Sequence, residues 1–194
     1  GIIVAITPVS DTVSYNDKVQ TISGYSVTTN HPLYTEEYIT FTGDATASGK
    51  LVGEYPMMLS ADDFANNNPN FEDVTFVVGE GSLVIEPIRT VIVRIKENAA
   101  TYTYDGQEHS VYGFSITSNE RLYSYVNDCE FTGKDEVSAT EVGKYSMNLK
   151  ESDFINKNPN FENVQFIIEH DSLVILPPSA VVVKITEHGG KFIF

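Results

Sequence analysis

Apolar and polar residues alternate along three stretches of this chain. Ile2, Val4 and Ile6 alternate with Ile3, Ala5 and Thr7. Val91, Val93 and Ile95 alternate with Ile92, Arg94 and Lys96, and Val181, Val183 and Ile185 with Val182, Lys184 and Thr186. A period of two sends one set of side chains to one face of a β-strand, so the pattern predicts the same strand three times. Each is followed by a pair of apolar or aromatic residues at alternate positions: Val13 and Tyr15, Tyr102 and Tyr104, Phe192 and Phe194. The first two pairs run into Tyr15-Asn16-Asp17 and Tyr104-Asp105-Gly106, whose small polar residues and glycine tolerate the positive φ of a tight turn.

Further landmarks recur at fixed spacing. Gly24-Tyr25 matches Gly113-Phe114, and Leu33-Tyr34 matches Leu122-Tyr123. Val52-Gly53-Glu54-Tyr55 matches Val142-Gly143-Lys144-Tyr145. Asn68-Pro69-Asn70-Phe71-Glu72 is repeated identically from Asn158, and Ser82-Leu83-Val84-Ile85 from Ser172. A long match at constant offset marks a duplicated unit. The offset is 89 residues up to Tyr123 and 90 from Phe131 on, so the second copy carries one extra residue beside Cys129. A loop or an edge-strand bulge is expected there. Asp62-Asp63-Phe64 and Ser152-Asp153-Phe154 predict one capped helical turn in each copy. Val74, Phe76 and Val78 are expected to turn through Glu80-Gly81 into Leu83 and Ile85 as a closing hairpin, with the same hairpin at Val164 to Ile175. Pro87 and Pro177-Pro178 mark short, stiff junctions.

These signals predict a mainly β chain of two tandem small domains. Residues 1–87 form the first, 88–177 the second, and 178–194 the opening strands of a third or the closing strand of the second. Six or seven short strands per copy favour an Ig-like sandwich, with a β-grasp-like sheet carrying one short helix as the alternative. An alternating apolar strand at 181–185 is not expected to stand alone in water. It should complete the sheet of the second copy or pair with another chain. In the first case Val91 to Ile95 completes the first copy, and Ile2 to Ile6 is left over.

Composition narrows the function. The net charge is −15 and the pI about 4.5, which disfavours nucleic acid and anionic membrane surfaces as partners. Hydrophobic content of 41%, with 11 Tyr and 11 Phe, fits an aromatic core. The single cysteine, Cys129, permits no internal disulfide and reads as an idle thiol. No stretch of about 20 apolar residues predicts a membrane span. None of the four histidines (His31, His109, His170, His188) recurs at a matched position, and none has metal-ligand spacing. The acids that recur, Asp63/Asp153, Glu72/Glu162 and, shifted by one position, the turn pair Asp17/Asp105, could serve glycosidase chemistry, but the chain has no Trp to line a sugar cleft. Calcium at Asp63, Asn66 and Asn68 competes with simple capping and turn bonds. No lysine recurs at a matched position, which disfavours a repeated isopeptide bond. No enzyme activity, cofactor or metal is expected. Tyr38, Tyr112 and Tyr125 differ between the copies and are the candidate ligand contacts, since an exposed Tyr offers a flat apolar face and a hydroxyl.

Tyr104-Asp105-Gly106, Val142-Gly143-Lys144-Tyr145, Asn160-Phe161 and Ser172-Leu173-Val174-Ile175 together resemble the YDG and MBG type repeats of bacterial cell-surface proteins. The first copy departs at Tyr15-Asn16-Asp17, and the second at Asp171, where the first has Gly81. The resemblance implies an extracellular, secreted or cell-wall-attached protein and a non-catalytic stalk module whose partners are neighbouring repeats of the array. The alternative is an adhesive module that binds a host glycan or protein.

Overall fold

The computed structural model describes residues 1–191 and 193. The chain is mainly β and of sandwich type, built from several small sheets with no closed barrel. The first segment contains β1 (Ile2–Pro8), β2 (Asp11–Ser14), β3 (Gln20–Ser23), β4 (Tyr25–Thr29), β5 (Ile39–Phe41), β6 (Thr46–Gly49), β7 (Gly53–Pro56), β8 (Phe64–Asn66), β9 (Val74–Val78) and β10 (Ser82–Glu86). A short β11 (Ile88–Arg89) follows. The second segment repeats the order with β12 (Ile92–Glu97), β13 (Ala100–Thr103), β14 (His109–Tyr112), β15 (Phe114–Ser118), α1 (Tyr125–Asp128), β16 (Cys129–Phe131), β17 (Glu136–Ala139), β18 (Gly143–Tyr145), β19 (Phe154–Asn156), β20 (Phe161–Glu162), β21 (Gln165–Glu169) and β22 (Leu173–Leu176). By contact density the chain divides into two compact units. One comprises Gly1–Ile92, Asn119–Glu130 and Asn156–Gln165; the other comprises Val93–Ser118, Phe131–Ile155 and the chain from Phe166 on.

In the first unit β1 is the centre of a three-stranded sheet, antiparallel to β4 and parallel to β9. Its alternation does what the pattern requires. Val4 and Ile6 are buried, while Ile3 is 49% exposed. Val4, Ile6, Tyr34 and Phe64 form a core closed by Tyr25, Phe41, Phe71 and Phe76, whose rings meet edge-on or stacked at 5.0–5.9 Å. A second sheet has β10 at its centre, parallel to β2 and antiparallel to β7, and β3 pairs with β6. Strands cross from one sheet to the other at bends, as sandwich corners do. Gly24, at φ +100°, separates β3 from β4.

The closing element is therefore not a hairpin. Val78 and Leu83 do not pair; β9 joins β1 and β10 joins β2, so Gly79 to Gly81 is an arch between two sheets. Chain reversal at Glu80-Gly81 was legible, whereas the partners were set by β1 and β2, some 70 residues away. The arch lies on the bend between β1 and β2: the Gly79 amide donates to the Ile6 carbonyl at 2.9 Å, and a Cβ at Gly81 would lie 2.7 Å from the Pro8 Cβ and the Val9 oxygen.

In the second unit β12 lies between β15 and β21, and β22 lies between β13, which is parallel to it, and β18. Leu173, Ile175 and Val111 are buried against Ala100, Val137 and Tyr145. Phe114, Phe131, Phe154 and Phe166 form a second aromatic cluster, with centroids 5.0–5.6 Å apart. Each alternating strand thus sits with partners that follow it in sequence, and Val91 to Ile95 does not complete the first segment. The third stretch, 181–185, neither closes the second segment nor pairs with any described residue. Val181, Val182, Val183 and Ile185 are 75–90% exposed. Phe192 and Phe194 lie outside the described residues.

The extra residue beside Cys129 makes neither a loop nor a bulge. In the first segment Glu36–Tyr38 is a 3-10 turn, with the Tyr38 amide donating to the Thr35 carbonyl. In the second, Tyr125–Asp128 is one α-turn, with the Asp128 amide donating to the Ser124 carbonyl at 2.7 Å. One added residue widens a three-residue turn to a four-residue one.

Candidate functional site

Three places gather side chains beyond the needs of the sheets. The first is a seat in the first unit around Tyr15, Val52 and Ile88. The turn Tyr15-Asn16-Asp17 forms as its residues predict: Asp17 has φ +61°, and the Lys18 amide donates to Asn16 Oδ1 at 2.9 Å. The Tyr15 hydroxyl donates to Asp17 Oδ1 at 3.1 Å, and Lys50 Nζ stands 3.1 Å from the same oxygen. Burial, then the Asp17 carboxylate, raises the Tyr15 phenol; Lys50 first, then Tyr15, lowers Asp17. Against this seat lies the stretch Asn160-Phe161-Glu162. Phe161 meets Tyr15 edge-on at 5.8 Å and Tyr123 at 5.1 Å. The Val52 amide donates to Asn160 Oδ1 at 2.9 Å, and the Ile88 amide to the Asn160 carbonyl at 3.0 Å. β11 and β20 run parallel, Ile88 beside Phe161, with Arg89 and Glu162 paired at 2.8 Å. That exposed ion pair is worth about 0–1 kcal/mol; the buried ring and the backbone bonds define the contact.

The second place is an open groove of about 610 Å³ in the same unit. Glu54, Pro56, Met57, Met58 and Leu59 line it together with Glu80 to Ser82. Glu54 accepts a hydrogen bond from the Ser82 hydroxyl at 2.9 Å, and Met58 is 82% exposed.

The third is Glu97 in the second unit. It occupies the position of Pro8 and is 1% exposed. One oxygen accepts from the Leu149 amide at 2.9 Å and faces His170 Nδ1 at 3.1 Å. The other accepts from the Asp171 amide at 3.0 Å and the Ser146 hydroxyl at 2.9 Å. Burial pushes this carboxyl up more than any one partner pulls it down. The Leu149, Asp171, Ser146 and His170 bonds together outweigh burial and hold it below its ordinary range. The carboxylate joins the two bends where, in the first segment, Gly81 packs on Pro8. Sequence reading missed it because a single Glu at the end of an alternating strand reads as an exposed residue.

The chain matches no protein-family model, no curated protein and no solved structure.

The three tyrosines singled out in the sequence have different surroundings within their own units. Tyr38 packs into the first unit's core, edge-on to Tyr34 at 5.8 Å and tilted on Phe71. Tyr125 opens α1 and is half-buried in the first unit. Tyr112 lies on β14 in the second unit, 61% exposed. Asp63 and Asp153 cap their turns, accepting from the Ser60 and Lys150 amides at 2.7 and 2.8 Å. Asn66 is engaged with Tyr34, Asn68 and Phe71, so the Asp63–Asn66–Asn68 stretch serves turn bonds. Among the described residues no three His, Cys, Asp or Glu side chains gather as metal ligands. Tyr102 stacks on His109 at 4.1 Å, and His109 Nε2 stands 2.9 Å from Asp105. The Gln107 amide, then His109, lowers Asp105. This is turn chemistry on an exposed edge.

Proposed function

We propose that the chain is a non-catalytic, load-bearing spacer: a tandem-repeat module of the stalk of a surface or adhesin-like protein, outside the cell. The observation that carries this reading is the direction of the strands at which tension would enter and leave. In the first segment β1 and β2 open the chain path, β9 and β10 close it, and the bonded neighbours β1/β9 and β2/β10 are parallel. In the second, β13 and β22 are parallel. Pulling on both sides of such a segment draws parallel neighbours from opposite ends. All bonds of the ladder then bear load together, whereas a hairpin opens one bond at a time. The resemblance to YDG and MBG type repeats points the same way. Single-molecule stretching of the chain tests it. High, sawtooth rupture forces are expected, and Val84→Pro, which removes a ladder amide from β10, should lower the rupture force of one event. Unfolding at the low forces of strand unzipping would reject the reading.

A second reading, recognition of a host glycan or protein, is favoured by the groove beside Met57 and Met58. A glycan-array and mucin screen, with and without calcium, separates the two. Specific binding lost on substitution of Tyr112, Tyr125 or Met58 would make the chain a recognition module.

A further inference from the structure

The groove in the first unit carries charge of one sign. Its only ionisable groups are the carboxylates of Glu54 and Glu80, set among Pro56, Met57, Met58 and Leu59. Both acids are exposed, and among the described residues neither is paired with a cation. The Ser82 hydroxyl donates to Glu54 at 2.9 Å. Met57 is 5% exposed and anchored in the fold, whereas Met58 is 82% exposed. The strands do not require this chemistry. β18 pairs with β22 as β7 pairs with β10. Yet the second segment carries Lys144 at the position of Glu54, His170 at that of Glu80, Ser146 at that of Pro56 and Asn148 at that of Met58. The exposed methionine and the two unpaired acids therefore belong to the first segment alone.

We propose that this groove binds an extended basic peptide of a partner protein. One apolar side chain of the peptide lodges against Met57, Met58 and Leu59, and flanking Lys or Arg side chains reach Glu54 and Glu80. The occupant follows from the chemistry of the lining. Two acids without a counter-ion are complementary to a cationic partner. Thioether side chains are unbranched and adapt to the apolar group that meets them. The lining has no aromatic ring to lie flat on a sugar. The net charge of −15 draws a basic partner from a distance, and the groove selects where it settles. This proposal rests on the recognition reading given above, and assigns it a protein partner in place of a glycan.

Fluorescence anisotropy of the full chain with a labelled peptide of alternating Lys and Leu tests it. Binding should weaken as salt rises. Glu54→Gln, which keeps an acceptor for Ser82, and Glu80→Gln should each weaken it about threefold, as loss of an exposed ion pair does. Met58→Asn, the residue of the second segment, should weaken it about tenfold through lost apolar contact. Glu36→Gln with Glu37→Gln removes as much charge outside the groove and should leave the affinity unchanged. Melting temperatures equal to the parent's would show that the variants fold. Absence of binding overturns the proposal. So does an equal loss from the Glu36/Glu37 and Glu54/Glu80 double variants, or equal affinity for a peptide of alternating Lys and Ser, since bulk charge would then explain the binding. A glycan-array signal lost on Met58→Asn, with no binding of the Lys-Leu peptide, would overturn the peptide and leave the recognition reading standing.

Discussion

A single position shows how closely the two bends of the first segment approach. A Cβ at Gly81 would fall 2.7 Å from both the Pro8 Cβ and the Val9 carbonyl oxygen. The second of these is backbone, so relief requires the arch to move. Gly81→Ala should cost about 1–3 kcal/mol, the usual range for overpacking, and lower the first thermal transition. In the second segment the same contact is made by Glu97, and its removal acts differently. Glu97→Ala leaves the Leu149 and Asp171 amides without an acceptor, at about 1–3 kcal/mol for each buried group. The effect depends on pH, with a sign set by the lowered carboxyl. A group whose folded pKa lies below its unfolded one stabilises fully above the unfolded value and loses that stabilisation as pH falls through the folded value. The second unit should therefore weaken as pH drops below the ordinary glutamate range. Glu97→Gln should flatten that dependence in urea titrations at neutral and acid pH. A parent chain with no acid-side loss would contradict the account.

Strands were legible from the sequence, but their neighbours were not. The alternation at Ile2 to Ile6 and at Val91 to Ile95 found its buried face: Val4, Ile6, Val91, Val93 and Ile95 are all within 1% of full burial. Identical alternation at Val181 to Ile185 produced no strand, because a period of two specifies a face and not the sheet that covers it. The closing arch failed as a hairpin for a related reason. A Gly-containing turn reverses the chain whether or not the flanking strands bond each other, and here stronger partners lay far away in sequence. The seat around Tyr15 was legible only in part. Tyr15/Tyr104 and Asn160-Phe161 stood out as recurring residues, yet recurrence could not say that one tyrosine is covered and the other bare. Phe161→Ala tests the covered one. A buried Phe cut to Ala typically costs about 3–5 kcal/mol. Near-ultraviolet circular dichroism should register the lost ring contacts with Tyr15 and Tyr123. An unchanged melting temperature would mean the ring contributes nothing to the seat.

For the whole molecule, the exposed stretch from Val181 bears on stability by contributing little. Its valines and Ile185 stay 75–90% exposed, so the area-dependent gain from them is small. Removing 179–194 should leave the melting temperature and the β-sheet circular dichroism per residue of the folded part unchanged, while reducing aggregation at high concentration, since an exposed stretch with strand-type alternation can pair with another chain. A large drop in melting temperature would show that the stretch packs on the fold. The net charge of −15 works against such pairing by keeping copies apart.

The exchange of Pro8 and Gly81 for Glu97 and Asp171 also limits how a duplicated gene of this kind can be shuffled. A crossover between the two copies that falls between the first bend and the last would join Pro8 to an aspartate whose Cβ has no room, or a buried carboxylate to a glycine arch without its histidine. Both hybrids lose what holds the bends together. The workable breakpoints of an engineered exchange lie outside that interval.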